Sequence, residues 1–163
     1  MESLFLKLKK NMEKQKENLK LLLKTAREHN RALRQLDAGV LSAIVSKEGE
    51  ISKLIDQCES ERKKLTLMLS GTLEINEDAG FAQLIDRAPD GVKVELTIIL
   101  SSMREIAQEL SEINGLNSAL TRQAMKFNEI FLRAFSQAEA QVYAPNGRKV
   151  DDSLQVSLLD KKI

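Results

Sequence analysis

The sequence holds no tryptophan, one tyrosine, one histidine, one cysteine, two prolines and seven glycines in 163 residues, and aromatics make up only 4%. Each scarcity removes a class of explanation. A lone cysteine, Cys58, excludes an internal disulfide and fits a reducing compartment. With His29 the only imidazole and Cys58 the only thiol, a zinc-type centre lacks its ligands, and no nucleophile stands beside a base. No stretch approaches the roughly 18 consecutive apolar residues of a membrane span. Lysines recur too early in MESLFLKLKKNMEKQKENLK for a secretory apolar region, so the expected location is the cytoplasm, without membrane insertion. Neither a Walker loop nor GxGxxG occurs. The sequence therefore predicts no enzyme, no catalytic residues, no cofactor and no metal.

What is present is helix. Hydrophobic residues make up 42% of the chain and charged residues 30%, which suits a bundle with a thin core. From Leu96 to Ala138 one stripe recurs at alternating three- and four-residue steps: Leu96, Ile99, Met103, Ile106, Leu110, Ile113, Asn117, Leu120, Ala124, Phe127, Phe131, Ala134 and Ala138. All are apolar except Asn117, over about six heptads, so the stripe reads as a coiled-coil seam that needs helical partners along most of its length. A second seam runs from Leu4 through Leu8, Met12, Gln15, Leu19, Leu22, Ala26, His29, Leu33, Leu36 and Val40, and continues through Ile44, Glu48, Ile51, Ile55, Cys58, Arg62, Leu65 and Leu69. Four-residue steps at 36, 40, 44 and 48 amount to a stutter, with Asp37 and Gly39 marking a break. One long bent helix and two helices at a tight joint both satisfy this pattern.

Ser70 and Gly71 predict a helix end, because glycine readily takes the left-handed conformation. FAQLID at 81–86 reads as a short helix stopped by Pro89, and Asp90 as the N-cap of the last helix. The predicted fold is all-α: an elongated antiparallel coiled-coil-like bundle over 1–138, with long helices at about 2–37, 39–70 and 91–138, a short one at about 79–87, and a flexible tail at 139–163. Pro145, Asn146 and Gly147 give that tail a turn signal. Val142, Tyr143, Leu154 and Leu158 are among its apolar residues and need a surface, whether as a frayed end or by folding onto a partner.

Net charge is only +1, but residues 1–36 carry ten lysines and arginines against four acids, and residues 37–138 carry eleven against sixteen. The basic first helix can pair with the acidic remainder. Its lysines lack interleaved aromatics, so no nucleic-acid partner is predicted. Polar occupants of the seams read as a register-setting layer: His29 in the first, Asn114, Gly115 and Asn117 in the second. Glycine inside a helix costs up to about 1 kcal/mol relative to alanine, which predicts a compensating close approach of another helix at Gly115.

Taken in order, LDAGVLSAIVSKEGEISKLIDQCESERKKL at 36–65, EINGLN at 112–117 and VYAPNGR at 142–148 resemble the FlgN family of flagellar export chaperones, over about Leu4 to Arg148. The resemblance implies a cytosolic chaperone that binds C-terminal helical segments of hook-associated, hook–filament junction proteins, prevents early assembly and delivers them to the export gate. On that reading Phe127, Ile130, Phe131 and Phe135 form the client-docking surface, some of them exposed in the free protein. Tyr143 either contacts client or gate or packs on the bundle. The competing reading is a coiled-coil scaffold that self-associates, with a homodimer in the absence of client.

Overall fold

The computed structural model describes residues 1–75 and 81–142, with side chains as far as residue 133. Among them are four helices and no strand: α1 (Glu2–Gln35), α2 (Ala38–Leu73), α3 (Phe81–Asp86) and α4 (Asp90–Val142).

Helix α1 contains neither glycine nor proline, and Glu2 in its first turn and Arg34 in its last suit the helix dipole. It stops because Leu36 adopts the left-handed conformation, φ 55°, and the Asp37 N–H reaches back to the Ala32 carbonyl at 3.4 Å. Asp37 then caps α2, its Oδ1 accepting from the Val40 N–H at 3.0 Å. The break is thus a two-residue joint, and Gly39 lies inside the first turn of α2. Leu36 and Val40, counted in the seam, are exposed here because the joint turns them outward.

Two other helix ends differ from the sequence reading. Gly71 does not close α2, which runs to Leu73 and ends on Glu74 at φ 52°, with the Ile75 N–H bonded to the Ser70 carbonyl at 3.0 Å. Leu73 packs against the core, and that contact carries the helix past the glycine. Asp90 is a first-turn residue of α4 rather than its cap; the preceding Pro89 carbonyl accepts the Lys93 N–H at 2.8 Å. Helix α4 also continues to Val142, past the predicted end near 138.

Side-chain bonds give the directions. Between α1 and α2 they join Asn11 to Glu61, Gln15 to Glu59, Asn18 to Cys58 and His29 to Glu48, numbers that rise on one helix and fall on the other, so the pair is antiparallel. Between α1 and α4 they join Lys9 to Glu95, Arg27 to Glu109 and Asn30 to Asn117, so that pair is parallel. All of these lie in the compact unit Met1–Thr121; Arg122–Ile163 forms a second unit.

The densest packing surrounds α3. Phe5, Leu8 and Met12 of α1, Leu65 and Leu69 of α2, Leu84 and Ile85 of α3 and Val92, Leu96 and Ile99 of α4 form one buried cluster. Full burial of each large side chain contributes about 1.5–3 kcal/mol. Toward the Leu36 joint the buried residues become smaller and more polar, with Ala26, Thr25, Asn30, Ala32, Leu33, Ile44 and Asn117.

Candidate protein-docking surface

Helix α4 first covers its seam and then exposes it. Leu96, Ile99, Ile106 and Asn117 are buried, and Met103, Leu110, Ile113, Leu120 and Ala124 are half-buried. From there the seam carries Phe127 and Phe131, whose rings stack with centroids 6.3 Å apart at 20° while remaining 65% and 52% exposed. Ile130, Met125 and Leu132 are exposed to a similar degree. At about 100° per residue, Phe127, Ile130 and Phe131 share one face, and Met125 and Leu132, seven residues apart, share the opposite one. An Arg133–Glu129 ion pair borders the patch. The sequence reading missed Met125 and Leu132 because they lie off the counted stripe; apolar residues seven apart on a second face were the available signal.

Of the other predicted docking residues, Phe135 and Val142 belong to α4 but their side chains lie outside the described residues, as do Tyr143, Leu154 and Leu158 altogether.

The predicted polar layer divides. Asn117 is buried, donates through Nδ2 to the Ala26 carbonyl at 3.0 Å and accepts at Oδ1 from Asn30 Nδ2 at 2.9 Å. Its partner Asn30 sits one residue off the counted stripe and was missed. His29 is half-buried, with Nδ1 3.1 Å from a Glu48 oxygen. Asn114 and Gly115 do not belong to the layer: both are exposed, and a Cβ built on Gly115 would meet nothing within 4 Å. Among the described residues no helix makes the close approach expected there.

Electrostatics join α2 and α4 to the basic first helix. Lys9 bonds Glu95 at 2.6 Å, and that hydrogen bond raises the ammonium above its ordinary value. Glu59 accepts from Arg62 Nε at 2.8 Å and from a terminal nitrogen at 2.7 Å; the guanidinium holds the carboxyl below its usual range, and the carboxylate in turn raises Arg62. Cys58 is 1% exposed and receives the Asn18 amide at 3.7 Å, as a packed thiol would. Among the described residues no cluster of three or more His, Cys, Asp and Glu is arranged to hold a metal, and no helix is long and apolar enough to cross a membrane.

Comparison with known proteins adds an independent observation. The family model described as FlgN protein matches residues 1–151. The chain is also 30% identical over 109 residues to an uncharacterized protein, YvyG, of Bacillus subtilis (strain 168), covering 67% of this chain and 66%, just under two thirds, of that one. No solved structure matches.

Proposed function

The chain belongs to the FlgN family of flagellar export chaperones, and from that premise we propose that it carries hook-associated, hook–filament junction proteins by their C-terminal helical segments. The observation that supports this is the open apolar surface of α4, where Phe127 and Ile130 are each about two-thirds exposed within one helical face. Large aromatic side chains in the open are costly unless a partner covers them, and aromatic anchors dominate protein interfaces. An amphipathic client helix laid along that face would bury its own assembly surface, as in other helix recognition by apolar faces. Assembly before export is then blocked by occupancy alone, with no catalytic step and no cofactor.

Phe131, Phe135, Val142, Tyr143, Leu154 and Leu158 extend the same apolar series in the sequence and are assigned to the client, with Tyr143 also a contact for the export gate. The encounter takes place in the cytoplasm, before the gate. Without client, the same face serves a second copy of the chain as a homodimer.

The test is a titration of the full chain with hook-associated proteins, intact or lacking their C-terminal segments, read by light scattering. A one-to-one complex that requires the segment supports the chaperone reading. Absence of any complex, together with a self-assembly that persists in their presence, moves the function to a scaffold.

A further inference from the structure

Within the first unit, all four helices line a groove of about 530 Å³. Its walls are mostly apolar: Met12 and Leu19 from α1, Phe81 from α3, and Leu100, Met103 and Ala107 from α4. Such a volume and lining suit a short apolar segment rather than a single ion. Two polar observations narrow the occupant.

The first is charge. Glu59 and Arg62 also line the groove, but they neutralise each other, and the guanidinium carbon of Arg62 lies 5.1 Å from the Phe81 ring centre. Arg104, on the α4 side, is exposed and has no carboxylate partner among the described residues. The rim is therefore left with an unbalanced cation. The second observation is Gln15, which lines the groove and is only 7% exposed. Its Nε2 donates to Glu59 at 3.3 Å, and because a carboxylate can only accept, the amide orientation is fixed and Oε1 is the remaining acceptor. That oxygen is buried and has no hydrogen-bond partner. A ligand N–H would satisfy it after a small rotation of the amide.

We infer that this groove is a second peptide-docking site, taking a partner segment whose apolar side chains fill it, whose backbone donates to Gln15 and whose carboxylate meets Arg104. The site is independent of the client face on α4, and neither reading requires the other. Opposite charge at the rim selects the segment, and apolar burial holds it.

Methionine methyl groups provide reporters inside the groove and outside it, since Met12 and Met103 line it and Met125 lies on the exposed stretch of α4, on the face opposite Phe127. Full-length protein labelled at these methyls is titrated with a capped synthetic peptide of four leucines and two glutamates, and with its lysine counterpart. The inference expects saturable shifts at Met12 and Met103 with the glutamate peptide, at least fivefold tighter than with the lysine peptide. It expects Arg104→Glu to reverse that preference, and Gln15→Met to weaken binding about threefold, with thermal midpoints confirming that both variants fold. Shifts confined to Met125, equal affinity for the two peptides, or indifference to Arg104→Glu would each overturn it. Failure here leaves the client titration unaffected, so the two readings fall separately.

Discussion

Between Val92 and Asn117, α4 buries its seam against α1 and its neighbours; between Met125 and Leu132 the same three-four spacing carries aromatic rings more than half exposed. The heptad pattern does not distinguish the two stretches. It specifies a helix face that requires cover, and the identity of the cover comes from elsewhere: from this chain in the first stretch, and, on the proposed reading, from a client in the second. Side-chain size also separates them. The covered stretch uses leucine, isoleucine, one methionine and one asparagine, whereas the exposed stretch uses paired phenylalanines, which give much contact area for few rotatable bonds.

Truncation in each stretch separates folding from binding. The largest effect belongs to Leu96→Ala, at a fully buried position, which removes about 2–5 kcal/mol of stability in urea unfolding while the folded fraction keeps its client affinity. Asn117→Leu comes next, costing about 1–3 kcal/mol because Asn30 is left buried without its acceptor; replacing both amides with leucine restores much of that loss. Phe127→Ser inverts the pattern: client affinity drops about tenfold, roughly 1.4 kcal/mol, with unfolding unchanged within about 0.5 kcal/mol. Loss of stability equal to the loss of binding would erase the contrast between the stretches. Gly115→Ala stabilises by up to about 1 kcal/mol, since the added methyl meets open space. The smallest effect is acid sensitivity at Glu59. Its folded pKa is depressed, so the unfolded state binds more protons; the Glu59–Arg62 contribution is complete above the ordinary carboxylate range and is lost as pH falls through the lowered folded value. Glu59→Gln should flatten that part of an acid-unfolding profile.

The all-α class and the covered part of the α4 seam were legible because a 3.5-residue period over several turns has no other economical explanation. Helix α1 was read less well. A single stripe was counted, yet Phe5, Asn11, Thr25, Asn30 and Ala32 are buried off it, because α1 contacts both α2 and α4 and therefore covers two faces. Nothing local announces such a central helix, apart from small and amide residues on its second face. Glycine misled twice: Gly71 lies within α2, whose end is set by packing at Leu73, and Gly115 is exposed, with nothing among the described residues within 4 Å of a Cβ built there. Of the docking residues, the sequence supplied the spacing of Phe127 and Phe131, but their degree of exposure is a tertiary property that no periodicity encodes. The unsatisfied oxygens of Asn11 and Gln15 are equally tertiary in origin.

The amide pair Asn30–Asn117 carries a mechanical consequence. Helices α1 and α2 are tied by a two-residue joint, so covalent geometry fixes their alignment. Helices α1 and α4 are separated in the chain by the whole of α2 and α3, and their apolar stripes would tolerate sliding by a heptad, about 10 Å. A heptad slide would bring Leu110 or Ala124 opposite Asn30 and leave its buried amide without the Asn117 acceptor, while Asn117 would move beside Asp37 or Leu23. The pair thus acts as a key in a shaft: together with the Lys9–Glu95 and Arg27–Glu109 ion pairs, it makes one axial position of α4 along α1 cheaper than its neighbours.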